Sequence, residues 1–163
     1  LAALLHAPLR PGTVTWLGVR PDRRMPVQPV MVLQLDPAQG ALGDRYAGRS
    51  GNRHLTLVQA EHLAAIGSYL GLPAVDPARL RRNVVVSGLN LLALKGQRFR
   101  LGEAVLDMTG ECHPCSRMEE EFGTGGYNAV RGQGGITARV VRAGAFRLGD
   151  AIARWDGEGP GAA

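Results

Sequence analysis

Two cysteines, Cys112 and Cys115, stand in the stretch TGECHPCSRMEE (Thr109 to Glu120) and are the only thiols of this 163-residue chain. The C-x-x-C spacing fits a dithiol redox pair, half of a zinc site, or one reactive thiol beside an incidental neighbour. A thioredoxin-type pair opens a long helix inside a βαβ unit. Here a strand-like AVLDMTG precedes the motif in a β-rich region, and only CSRMEEEF has helical character. A structural zinc site needs four ligands. No second C-x-x-C exists, and His6, His54, His62 and His113 form no pair at the spacing of a zinc finger. Free cysteines also serve as small buried hydrophobes, yet Glu111, His113, Ser116 and Arg117 are polar company for a core. Cys115 is placed differently from Cys112, after Pro114 and before the helix-forming run SRMEEE. A thiol at a helix start near Arg117 or His113 favours its thiolate. A thiolate is a nucleophile, a persulfide carrier or a soft metal ligand. From the residues alone, these uses stay open.

The charge around this motif is carried by arginine: 18 Arg against the single Lys95, with a formal net charge of +5. Enrichment in Ala and Gly alongside Arg is what G- and C-rich codons produce. Arg79, Arg81 and Arg82 nevertheless cluster, and the planar guanidinium fork suits phosphate oxyanions. Aromatic residues are only 5% and do not interleave with basic ones, so nucleic acid is not an expected partner. The length suits one domain over residues 1–163. The apolar run NVVVSGLNLLAL is too short to span a bilayer, and no basic region or cleavage site flanks the opening LAALLHAPLRPG. The expected setting is the cytoplasm, with reduced thiols and no membrane association.

The elements that must position the thiols are short. TVTWLGVR (Thr13 to Arg20) and VMVLQL (Val30 to Leu35) read as strands around the polar turn PDRRMP. A Gly- and Arg-rich loop, Gly40 to His54, leads to a buried strand LTLV. The helix QAEHLAAIGSYLG follows, with Ala60, Leu63, Ala64 and Leu70 at helical spacing and Gly71 as its stop. Asp76-Pro77 opens a helical turn as N-cap and first residue. NVVV reads as a buried strand, and Phe99, Leu101, Val105 and Asp107 as a period-two face interrupted by a Gly102-Glu103 turn. GGITARVVRAGAFRLGDAIARW reads as three strands joined by Gly turns. The ending WDGEGPGAA reads as frayed. Many short strands with one good helix point to a mainly β protein, a barrel decorated by a few short helices.

Four stretches in order resemble the MOSC domain, the C-terminal domain of molybdenum cofactor sulfurases. They are ALGDRYAGR (Ala41 to Arg49), HLTLVQAEHL (His54 to Leu63), LRRNVVVSGLNLLALKGQRFRLGEAVLDMTGECHPCSRM (Leu80 to Met118) and RGQGGITARVVRAGAFRLGDAI (Arg131 to Ile152). Together they span nearly the whole chain, as a small stand-alone member. The resemblance implies a mixed-strand β-barrel of the kind also found in pyruvate kinase. It also implies a cysteine that ligates the molybdenum of a pterin cofactor or carries sulfur as a persulfide, and Cys115 is the matching residue. Arg82 and Asn83 match positions that contact the cofactor's phosphate and pterin. Arg117 follows the cysteine as a basic residue, and Asp44, Arg45 and His54 lie in the other motif loop. These six are the cofactor-binding candidates, although Arg82 also reads as a strand-end charge and Asn83 as a strand cap. Asp44, Arg45 and His54 equally read as loop-fixing groups, and Glu119, Glu120 and Glu121 as a solvated helix face. The implied activity is reduction of N-hydroxylated compounds, with an electron-donating reductase as partner. The alternatives are a sulfur carrier supplied by a cysteine desulfurase and a non-enzymatic anion-binding barrel. Lys95 sits in the turn ALKGQ, so no pyridoxal phosphate is expected on this chain.

Overall fold

The computed structural model describes residues 1–45 and 51–157. A short helix α1 (Ala2–Leu5) precedes strands β1 (Gly12–Val19), β2 (Gln28–Pro29), β3 (Val32–Asp36), β4 (Gly40–Ala41) and β5 (Leu55–Gln59). Helices α2 (Ala60–Leu70) and α3 (Pro77–Leu80) lead to β6 (Val84–Ser87). A 3-10 turn at Leu91–Leu94 then precedes β7 (Arg98–Leu101) and β8 (Ala104–Glu111). Helices α4 (Ser116–Phe122) and α5 (Gly126–Val130) follow, and then β9 (Ile136–Arg142), β10 (Gly144–Arg147) and β11 (Ala151–Arg154). The motif ALGDRYAGR continues past Arg45 outside the described residues, as does the end of WDGEGPGAA.

Seven strands close into a barrel in the order β1, β6, β5, β9, β8, β7, β11. The circle is completed where Gly12 and Thr13 of β1 meet Ile152 and Ala151 of β11. β5 and β6 run parallel, and the segment between them carries α2 and α3, the crossover that a parallel pair requires. The other neighbours are antiparallel, so the expected mixed-strand barrel with short helices is the fold observed. A smaller sheet, β10-β3-β4, stands beside it.

Two apolar clusters explain the sequence pattern. The barrel interior is filled by Leu17, Leu55, Leu57, Val84, Val86, Phe99, Leu101, Leu106 and their neighbours. Outside the barrel wall, Val58 and Val85 point the other way and are covered by Leu63 and Ile66 of α2, Met118 of α4 and Ala129 and Val130 of α5. β5 is therefore buried on both faces along its whole length. That is why LTLV reads as a continuous apolar run, as strands covered on both sides do.

The structure shifts three readings. The pairs Phe99–Leu106 and Leu101–Ala104 set the β7–β8 register. Ala104 and Leu106, not Val105 and Asp107, thus continue the interior face, because the tight Gly102-Glu103 turn advances the alternation by one residue. In α2 the core contact is Ile66, fully buried, while Ala64 faces solvent. Helices α1 and α5 were not expected, since neither has a helical apolar stripe long enough to read.

Candidate functional site

The site is organised by three consecutive residues at the entry to β6. Asp76 caps α3 by accepting from the Ala78 amide at 2.9 Å, with Pro77 at the first helical position. The helix ends on Arg81, whose φ of 59° is left-handed. That reversal sends Arg81 toward the surface and Arg82 and Asn83 into the protein.

Arg82 is buried and donates from Nε to the Gly134 carbonyl at 2.8 Å and from Nη1 to the Leu80 carbonyl at 2.7 Å. Burial pulls its pKa down, and the Cys112 and Cys115 thiols oppose that pull while Arg53 and Arg20 add to it. The guanidinium therefore lies within electrostatic reach of both cysteines. Asn83 is fully buried. Its Oδ1 accepts from the Thr56 amide at 3.0 Å, and its Nδ2 donates to the Gly18 carbonyl and to Asp44 Oδ1, both at 3.1 Å.

Asp44 in turn binds Arg20 through Oδ1 and Oδ2, at 3.1 Å to Nε and 2.9 Å to Nη2, and also accepts from the Arg20 amide at 2.7 Å. The Arg45 amide donates to the Arg20 carbonyl at 2.7 Å. The loop after β4 is thus fastened to β1 and β6 by a buried ion pair and an amide. His54 is buried as well, and its Nδ1 accepts from the Val140 amide at 3.1 Å. Burial, and next the nearby Arg139, lower its pKa, with Asp36 acting in the opposite direction. Asp44 and His54 thus fix their loops by hydrogen bonds, and Asn83 ties the entrance of β6 to β5 and to the Asp44 loop.

The two thiols are free and sit in different surroundings. Cys112 continues β8 by donating its amide to the Gly135 carbonyl at 2.8 Å, and its buried Sγ lies 3.7 Å from Arg53 Nη2. The space beside it, bounded by His62, Gln59 and His113, measures about 20 Å³, room for about one water. Cys115 is exposed at the N-cap of α4, and its side chain makes no capping hydrogen bond.

Immediately after Cys115, Ser116 and Arg117 enter the wall of an open cleft of about 580 Å³. Arg24, Arg79 and Arg81 line it too, together with Glu120 and Glu121. Arg24 and Arg81 are the two non-glycine residues with positive φ among those described, at 63° and 59°. A left-handed conformation costs a residue with a side chain about 1–2 kcal/mol, and such outliers gather at binding sites. Arg81 donates from Nη1 to the Met25 carbonyl at 2.7 Å, whereas its buried Nη2 has no hydrogen-bond partner among the described residues. Burial lowers its pKa, and Arg20, Arg117 and Arg45 lower it further, against Asp44. The cleft is thus walled by four guanidinium groups, which suit an oxyanion.

The glutamates of α4 are not a uniform solvated face. Glu119 accepts from the Gly125 and Tyr127 amides, both at 2.9 Å, and so fixes the start of α5. Glu121 pairs with Arg79 at 2.8 Å, whose guanidinium lies 4.5 Å from the Phe122 ring centre. Sequence reasoning assigned neither Arg24, Arg81 nor Glu120 to the site. Only the arginine cluster around Arg81 hinted at it, because the left-handed turn that turns Arg81 rather than Arg82 to the cleft is silent in composition.

The structure thus presents a closed mixed barrel with an exposed thiol next to an arginine-lined cleft. The sequence model of the MOSC domain matches residues 39–153, and the chain belongs to that family. The crystal structure of the YUAD protein from Bacillus subtilis superposes with a TM-score of 0.77 at 23% identity, covering 88% of this chain and 94% of that one. YiiM from Geobacillus stearothermophilus gives 0.73 at 16% identity, covering 90% and 76%. YiiM from Escherichia coli gives 0.67 at 20%, covering 91% and 71%. These likenesses establish the fold. No curated protein matches the chain by sequence. No helix among the described residues is long and apolar enough to cross a membrane.

Proposed function

We propose that this chain binds a molybdenum-pterin cofactor, with Cys115 as the protein ligand to the metal, and acts as a reductase of N-hydroxylated compounds. The observation that carries the reading is the arginine lining of the cleft, Arg24, Arg79, Arg81 and Arg117, which begins one residue from the exposed Cys115 thiol. Among the described residues no three His, Cys, Asp or Glu side chains are placed to hold a metal ion. A metal at Cys115 would therefore need most of its ligands from an organic group, which a pterin dithiolene provides.

When bound, the cofactor would supply two-electron oxygen-atom abstraction. The chain's own residues bind and orient. Arg81, Arg117 and Arg24 would hold the phosphate, since guanidinium forks match its oxygens in pairs. Arg82 would act by holding the Gly134 turn with its fork. Asn83, Asp44, Arg45 and His54 would keep the loops around that platform rigid.

The test is elemental analysis of protein expressed in a host that makes the cofactor, beside Cys115→Ala. Stoichiometric molybdenum that is lost in the variant, together with reduction of an amidoxime, is the expected result. Absence of molybdenum with a reducible one-sulfur mass gain on Cys115 would replace this reading with a sulfur carrier. Anion binding that persists in Cys115→Ala, without metal or sulfur, would reduce the chain to a binding barrel.

A further inference from the structure

The three glutamates after Met118 have separate fates. Glu119 is spent on two backbone amides and Glu121 on Arg79. Glu120 lines the same cleft as Arg81 and Arg117 and makes no hydrogen bond or ion pair among the described residues. It shares a helix face with Ser116, four residues earlier, and so faces the same space as the residue that follows the thiol. The cleft thus sets charges of opposite sign in one lining, the guanidinium groups of Arg24, Arg81 and Arg117 and the exposed Glu120 carboxylate. A ligand that is only anionic satisfies the first and is repelled by the second.

We propose that Glu120 determines the specificity of this cleft. Resting on the anion-binding reading above, it selects ligands that join a phosphate to a protonated or N–H-donating nitrogen. The phosphate takes the arginine wall, and the nitrogen donates to Glu120. The cleft volume of about 580 Å³ falls in the range of small-molecule sites. The two ends of such a ligand then complement the charge pattern of the walls, which is how specificity arises from opposed attractions and repulsions.

The experiment measures affinity at low salt for two probes of similar size, O-phosphoethanolamine and monoethyl phosphate, by calorimetry. The wild-type protein should bind the amine-bearing probe about fivefold more tightly, as expected of a partly exposed charge pair. Glu120→Gln should erase that preference by tightening monoethyl phosphate and weakening phosphoethanolamine. The substitution lies on an exposed helix face, so folding should be unaffected. Equal binding of both probes by the wild-type protein overturns the role of Glu120 and leaves the anion cleft standing. A preference that survives Glu120→Gln overturns it too. Failure of both probes to bind overturns the anion reading itself, and this inference with it.

Discussion

Arg82 donates from Nε to the Gly134 carbonyl at 2.8 Å, and a Cβ placed on Gly134 would stand 2.1 Å from the carbonyl oxygen of Cys112. One buried guanidinium thus holds a turn that is pressed against the thiol-bearing segment. Arg82→Lys keeps a cation but loses the fork that serves Gly134 and Leu80 together. Hydrogen bonds to charged groups contribute about 1.5–3 kcal/mol each, so the variant should lose about 2–3 kcal/mol in chemical denaturation. The Cys112 amide, bonded to Gly135, should exchange faster with solvent. Unchanged exchange at Cys112 would mean that Arg82 does not position this segment.

The Arg20–Asp44 pair is desolvated on both sides, with side chains 7% and 0% exposed. Removing one partner of a buried pair leaves an uncompensated charge and costs about 3–5 kcal/mol. Asp44→Ala should therefore destabilise the fold by that order, more than Arg79→Ala at the exposed Glu121 pair, where about 0–1 kcal/mol is at stake. Asn83 donates to the same Asp44 oxygen, so Asn83→Ala combined with Asp44→Ala should cost less than the sum of the two. Thermal melts of the four proteins provide the check, and strict additivity would deny the network.

His54 carries a pH dependence whose direction is fixed by its surroundings. Its pKa in the fold is lowered, chiefly by burial, below the ordinary value of about 6.5. Between the folded and unfolded values the unfolded chain binds more protons, so stability rises with pH across that window and falls as pH drops below about 6.5. Protonation must also break the bond from the Val140 amide to Nδ1. His54→Asn retains a side-chain acceptor without titrating. Denaturation midpoints measured from pH 7.5 to 5 should decline less in this variant. Parallel slopes for the two proteins would show that His54 does not contribute.

The barrel was legible because its signals are local: β-branched runs, Gly turns, a capped α3, and a strand covered on both faces. The β7–β8 register slipped because a two-residue turn decides it, and composition cannot say which residue of the pair Val105 and Leu106 faces inward. Within the site, Cys115 stood out by its setting between Pro114 and a helical run. The structure exposes its thiol one residue from the cleft and buries Cys112. Arg82, Asn83, Asp44 and His54 were legible as polar residues in motif loops, but apart from Leu80 beside Arg82 the partners of their side chains are 24 to 86 positions away. No local pattern encodes contacts of that range. The cleft arginines were hidden for another reason. Their orientation depends on two left-handed backbone positions, which arginine adopts only when the surrounding structure imposes them.

That last point separates two adjacent arginines by experiment. Arg81→Gly removes the side chain that would hold an oxyanion, and glycine takes a left-handed φ without cost. The gain of about 1–2 kcal/mol from relieved strain offsets the loss of the exposed bond from Nη1 to the Met25 carbonyl, worth about 1 kcal/mol. Stability should then change by less than about 1 kcal/mol, while affinity for monoethyl phosphate should fall about tenfold, the worth of one charge-assisted contact. Arg82→Lys should show the reverse balance, a clear loss of stability with a smaller effect on the probe. Paired melting and calorimetry on the two variants read both quantities at once. If Arg81→Gly melts as early as Arg82→Lys and binds phosphate as the wild-type protein does, then Arg81 is a helix cap and the cleft has no anion site at its centre.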